Sequence, residues 1–319
     1  EVPLADRGRA ELLEIIDAEL LKPRVVATWS LFESVFYRRS IMESAARDYG
    51  GGSLQFRSWV SGSLLANSQS SDPLKSGIRG ALLGSLLTIF LTILFALPLG
   101  VAAAVWLEEY AKDNRFNRLI RTNIYNLAGV PSIIYGMLGL ALFVRAMAPL
   151  TSGAVFGIRA EGSSLDGRTV LSASLSLAML VLPIIIINAQ EAMRAVSQGL
   201  RHSSLALGAT RWQTVWHHVL PASADRILTG TVLAISRALG ETAPLVVVGA
   251  STFLSMDPTG PFSKFTTLPI QIYQWSSRPQ QEFRNLAAGA IIVLLALLLS
   301  LNASVIYMRH KINDKKATF

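Results

Sequence analysis

Ser236-Arg237-Ala238-Leu239-Gly240-Glu241-Thr242-Ala243-Pro244 sits inside residues 227–255, a run that otherwise carries no charge. The run is long enough to cross a bilayer, which takes roughly 20 helical residues. A charge at the centre of a membrane helix costs about 2.5–3.5 kcal/mol. An arginine and a carboxylate are therefore kept there only if they pair, face protein or water, or do work. Four residues apart, Arg237 and Glu241 share a helix face and can reach one another. Pro244 lacks a backbone donor, so it kinks or opens the helix one turn on. A polar, bent segment among apolar helices is what a solute pathway requires.

The rest of the chain supplies those apolar helices. It has 319 residues, of which 51% are hydrophobic and 16% charged, with a mean hydropathy of +0.42. That composition is too apolar for a soluble domain and points to an all-α polytopic membrane protein. The net charge of +8 is not a nucleic-acid signature, because the basic residues crowd the loops between apolar runs. There is no cysteine, which excludes disulfides and thiolate metal sites.

Residues 1–78 are of ordinary polarity. Leu12, Leu13, Ile15, Ile16, Leu20 and Leu21 recur at helical spacing before Lys22-Pro23, and a second helical stretch is expected from Leu31 to Arg47. Five apolar runs follow, at 80–107, 122–144, 169–190, 227–255 and 285–308. One set of alternate loops and ends holds Lys112, Arg115, Arg118, Arg121, Arg194, Arg201, Arg211, Arg226, Arg309, Lys311, Lys315 and Lys316. The other holds only Arg145, Arg159, Arg168, Lys264, Arg278 and Arg284. The richer set is expected to be cytoplasmic. The tail 310–319 then lies inside and the 1–78 region outside, which requires a sixth membrane helix before Glu1.

The longest inner loop contains His202-Ser203-Ser204-Leu205-Ala206-Leu207-Gly208-Ala209-Thr210-Arg211-Trp212 and, further on, Val219-Leu220-Pro221. Leu205, Trp212, Trp216 and Val219 fall on one helical face, and Gly208 suits a turn between two short helices. Taken alone, this is an amphipathic segment lying on a membrane surface.

The stretch is similar to the cytoplasmic loop of ABC-importer permeases, whose pattern is Glu-Ala-Ala, three residues, Gly, nine residues, Ile, one residue, Leu-Pro. Gly208 and Leu220-Pro221 stand at the matching positions, while His202 replaces the usual Glu and His218 the usual Ile. Together with Ala128-Gly129-Val130-Pro131-Ser132-Ile133-Ile134-Tyr135-Gly136, Leu182-Pro183-Ile184-Ile185-Ile186, the opening stretch and Leu268-Pro269-Ile270-Gln271-Ile272-Tyr273, the chain resembles the A-type permease subunit of the bacterial phosphate ABC importer.

The resemblance implies a type I ABC-importer permease fold in the bacterial inner membrane. It also implies a second related permease, an ATP-hydrolysing subunit dimer inside and a phosphate-binding protein outside. The lack of Gly-x-x-x-x-Gly-Lys-[Ser/Thr] agrees with ATP chemistry on another chain. Ser236, Arg237, Glu241 and Thr242 are the expected substrate pathway for inorganic phosphate. His202, Ser203, Ser204, Leu205, Ala206, Gly208, Arg211, Trp212, Leu220 and Pro221, within 198–221, are the expected ATPase-coupling residues.

A guanidinium offers paired planar donors to an oxyanion; the structural alternative is that Arg237 and Glu241 only neutralise each other. No cofactor is expected, and the four histidines lack metal-ligand spacing. Rival readings are a permease for sulfate or molybdate and an intramembrane enzyme. The enzyme would need a nucleophile or metal, and none is legible.

Overall fold

A computed structural model describes residues 26–50, 54–56, 58–157, 166–250, 253–254 and 256–317. The chain divides into two compact units, Glu1–Arg57 and Ser58–Phe319. The helix expected over residues 12–21 lies outside the described residues. In the first unit the second expected helix is two, α1 (Leu31–Phe36) and α2 (Arg38–Asp48), parted at Tyr37. Ser30 starts α1 with a capping box: its hydroxyl accepts from the Glu33 N–H, and the Glu33 carboxylate accepts from the Ser30 N–H at 2.7 Å.

The second unit begins at Ser58. α3 (Gly62–Ala66) leads through a loop to α4 (Arg79–Val105). Leu64 and Ile78 are buried with Trp275, Phe283 and Leu286. Arg79 fastens the loop by donating to the Ala66 carbonyl (2.9 Å) and the Ser68 hydroxyl (3.0 Å) while pairing with Asp257 (2.8 Å). Ordinary polarity over 58–78 hid two anchor residues that belong to the membrane unit's core.

A π-helical turn, Trp106–Tyr110, extends α4. Then come α5 (Arg115–Ala128), α6 (Ser132–Gly139) with its π-helical continuation Leu140–Ala146, the short α7 (Ala148–Thr151), and α8 (Val170–Arg194). The segment that follows folds as α9 (Gln198–Ala206), α10 (Arg211–Thr214) and a π turn, Val215–Val219. After it run α11 (Leu220–Gly240), α12 (Ala243–Val248), α13 (Leu268–Ser276) and α14 (Gln281–Ala317). Among the described residues the regular elements are all helical.

Among the described residues three helices are long and apolar enough to cross a membrane: Arg79–Tyr110, Val170–Arg194 and Gln281–Ser304. About two thirds of the apolar window of α8 is buried in the chain, against a fifth for α14. α8 is thus the central helix, with α4 along one side and α11 along another.

Two of the five expected runs are not continuous helices. The run at 122–144 is divided between α5 and α6, which meet at 103°. Gly129 ends α5 and Pro131, with no N–H to give, starts the next segment. The run at 227–255 is divided after Gly240. In an unbroken helix the Pro244 ring would collide with the carbonyl of Gly240, four residues back, and glycine there adds little helical preference. Hydropathy registers both runs as spans because it does not weigh backbone geometry.

Candidate functional site

The break in the fourth run is the first candidate site. α11 buries Ile227, Gly230, Thr231, Ala234 and Ala238, and leaves Leu233, Arg237 and Gly240 on an open face. Glu241 is extended (φ −77°, ψ 124°), and Pro244 sits in the first turn of α12. Arg237 Nε lies 3.5 Å from Glu241 Oε1, with 43% and 19% of the two side chains exposed. That is an ion pair of loose geometry, longer than a charge-assisted hydrogen bond. The remaining guanidinium donors have no hydrogen-bond partner among the described residues. A side chain added at Gly240 would meet nothing within 4 Å. The pair is therefore neither packed dry nor fully satisfied.

The two backbone breaks lie against each other. α6 packs on α12 so closely that a Cβ on Gly136 would stand 2.6 Å from Pro244 Cα. Only glycine permits that approach. Tyr135, buried beside it, donates to the Leu127 carbonyl at the end of α5 (2.7 Å) and lies within electrostatic reach of Arg237. Ser236 turns toward α14, where its hydroxyl donates to Asn302 Oδ1 (3.0 Å). Thr242 is part of the opened backbone (φ −105°, ψ −43°). Ser236, Arg237, Glu241 and Thr242 thus gather at one break, joined by Tyr135 and Asn302, which sequence reading passed over. Asn302 had a signal, an amide inside an apolar run.

The second candidate site is the segment between α8 and α11. Gly208 adopts φ +87°, a left-handed conformation suited to glycine, and turns α9 into α10. Thr210 and Gln213 form a capping box that starts α10. Ser204 and Thr214 hydroxyls bond across the hairpin (3.0 Å), and Ser203 bonds back to the Gly199 carbonyl. The tip is apolar and exposed: Leu207 is 89% exposed, flanked by Leu205 and Ala206.

Trp212 and Trp216 stack with ring centres 5.6 Å apart on the same outward side, where Arg211 and His202 are also exposed. Val219 does not share that face as expected; the π turn buries it with Val215. Leu220 is half-buried and Pro221 exposed in the first turn of α11.

Beneath the hairpin lies a charged network absent from the expected set. Glu108 accepts from Arg194 Nε with both oxygens at 2.9 Å and pairs with Arg121 (3.5 Å). Glu109 accepts from Arg201 Nη2 at 2.8 Å. Arg201 also donates to the Val196 (2.7 Å) and Met193 (2.8 Å) carbonyls at the end of α8. Carbonyls at a helix C-terminus lack intrahelical partners, and a cation is welcome there. The ends of α4, α8 and α9 are locked together by these contacts. An open groove of about 300 Å³ lies alongside, lined by Val196, Leu200, Ala222, Asp225 and Arg226 among others.

Residues 96–314 match the family described as binding-protein-dependent transport system inner membrane component. The probable ABC transporter permease protein YqgI of Bacillus subtilis (strain 168) is 32% identical over 241 residues, covering 71% of this chain and 76% of that protein. The phosphate transport system permease protein PstA of Haemophilus influenzae is 31% identical over 239 residues, covering 74% and 77%. Among solved structures, the MetNI methionine ABC transporter in an inward-facing conformation aligns with a TM-score of 0.51 at 18% identity, over 74% of this chain and 95% of that one. That likeness speaks for the fold alone, and it bears out the expected permease fold.

Proposed function

The chain belongs to the binding-protein-dependent transport system inner membrane component family, and on that premise we propose that it is the permease subunit of an ATP-driven importer of inorganic phosphate. It forms one half of the translocation pathway. ATP hydrolysis belongs to a partner chain, and its relatives are permease proteins.

One observation carries the choice of an anion as substrate. Arg237 stands on the open face of a broken helix with donors to spare and only a loose carboxylate beside it. Lipid against that face would leave a cation in hydrocarbon at a cost of about 2.5–3.5 kcal/mol. Water and a second permease subunit cover it at no such penalty. A tetrahedral oxyanion entering there finds a planar guanidinium, and Glu241 can accept a proton from a protonated phosphate while holding the arginine in place. The phosphate transport names of the relatives support phosphate over other oxyanions.

In this reading the α9–α10 hairpin, with Leu207, Trp212 and Trp216, docks on an ATP-hydrolysing subunit dimer. Closure of that dimer pushes the hairpin, and the Glu108–Arg194 and Glu109–Arg201 contacts pass the movement to α4 and α8. The cavity between two permease subunits then alternates between outward and inward access, filled from an extracytoplasmic phosphate-binding protein. The distribution of lysine and arginine supports a cytoplasmic C-terminus and an outer N-terminal region.

The test is uptake of labelled phosphate by the complete transporter in proteoliposomes. Arg237→Gln should abolish uptake with the complex still assembled, and excess sulfate or molybdate should not compete with the wild type. Normal uptake by the variant would leave Arg237 a structural role only; strong competition would reassign the substrate.

A further inference from the structure

Asn302 is out of place in α14. Its polar neighbours Ser300 and Ser304 bond to their own helix, at the Leu297 carbonyl (2.8 Å) and the Ser300 carbonyl (2.7 Å). Such back-bonding hides a hydroxyl within a membrane helix. Asn302 does not do this. It reaches across to α11, where Oδ1 accepts from the Ser236 hydroxyl (3.0 Å). Its amide nitrogen has no partner among the described residues.

Two N–H donors left unmade in hydrocarbon are costly, and a membrane span gives them no water unless a polar pathway is adjacent. Asn302 is half-buried, so it is neither sealed in the core nor set wholly outside it.

Its position supplies the pathway. Ser236 precedes Arg237 by one residue, a rise of about 1.5 Å along α11. The Ser236 position that holds Asn302 and the Arg237 position therefore stand at nearly the same depth, on adjacent flanks of one helix. The open space at Gly240 lies just beyond. Near it the chain presents uncommitted donors from Arg237 and Asn302 and a single carboxylate, Glu241. Such a set suits an oxyanion that keeps one proton: its bare oxygens take the donors and its hydroxyl gives to the carboxylate.

We propose that the Asn302 amide is a second substrate-binding donor, which holds a phosphate oxygen beside Arg237 while Ser236 fixes its orientation. This rests on the phosphate-pathway reading of Arg237 and extends it to a residue on another helix. Ser236 is then a positioning residue, and Asn302 touches the substrate.

Substitutions separate this from a packing role. Asn302→Asp keeps the oxygen that Ser236 uses and replaces the donor with an anionic acceptor. Ser236→Ala removes the bond between helices and leaves the donor. The complete transporter, reconstituted with binding protein and ATP, is assayed with labelled inorganic phosphate. A hydrogen bond to a charged partner is worth about tenfold or more, so Asn302→Asp should lower uptake at least that much, and Ser236→Ala by about threefold or less.

A protonated aspartate regains one donor, so the ratio of Asn302→Asp to wild-type uptake should rise as pH falls. If Asn302→Asp does not assemble, Asn302→Leu takes its place and should show the same loss without the pH-dependent recovery. Equal losses from Ser236→Ala and the Asn302 variant, or full uptake by the latter, would overturn the proposal. A ratio for Asn302→Asp that stays flat with pH would do the same. Arg237→Gln run in parallel tells the two failures apart: normal uptake there sinks the pathway itself, whereas loss there with full uptake in Asn302→Asp removes only the amide.

Discussion

Arg201 and Glu109, 92 residues apart in sequence, meet at 2.8 Å with only 11% and 14% of their side chains exposed. Arg201 spends its other donors on the Val196 and Met193 carbonyls, so one side chain ties α9 to the ends of α4 and α8. Removing one partner of a buried ion pair costs about 3–5 kcal/mol. We expect Arg201→Gln to lower the thermal stability of the purified complex and to weaken the stimulation of ATP turnover by binding protein. Arg201→Lys should not rescue it, because a single ammonium cannot reproduce the fork that serves three acceptors. Full coupling in Arg201→Lys would show that the charge alone suffices.

Trp212 and Trp216 stack on the exposed side of the α9–α10 hairpin, and burying them against another protein would remove a large apolar surface from water. An aromatic anchor at the centre of an interface is worth about 2 kcal/mol or more. Trp212→Ala should therefore weaken binding of the ATP-hydrolysing subunit roughly 30-fold or more. The fold of the chain itself should be unaffected, since little intramolecular burial is lost. Unchanged affinity in a pull-down titration would move the docking surface elsewhere.

Gly136 and Gly240 flank the same break but meet different surroundings. A methyl at Gly136 would press on the Pro244 backbone at 2.6 Å, whereas one at Gly240 meets nothing within 4 Å. Overpacking of this kind costs about 1–3 kcal/mol. Gly136→Ala should lower the thermal stability of the complex and its uptake, and Gly240→Ala should keep the fold. The reverse order in thermal unfolding would contradict the observed contact between α6 and α12.

The membrane helices were legible because apolar runs of sufficient length announce themselves. Their ends were not. Arg79 and Glu108 looked like boundaries, yet each is helical, its charge met by partners from elsewhere in the chain. The breaks at 129–131 and 241–242 were half legible. Pro131 and Pro244 signalled disturbed backbone, but nothing in the sequence says that the two disturbances pack on each other.

The Arg237–Glu241 pair was readable from spacing. The Glu108–Arg194 and Glu109–Arg201 contacts were not, since they join residues 86 and 92 apart. The packing of residues 58–78 was not legible for the same reason. The anchoring of Leu64 and Ile78 depends on Trp275 and Phe283, which only folding brings near.

In the proposed pathway the face carrying Arg237 is lined by water. These 319 residues contain no cysteine, so labelling of this subunit after Gly240→Cys, set against the unsubstituted subunit, reports on that face. A thiol reacts with a water-soluble thiosulfonate only where water lets the thiolate form. In the assembled, reconstituted transporter Gly240→Cys should be modified rapidly, and saturating phosphate should slow the reaction. A thiol that stays unreactive in the assembled transporter while reacting fully after denaturation would mean that the face is covered by lipid or packed dry.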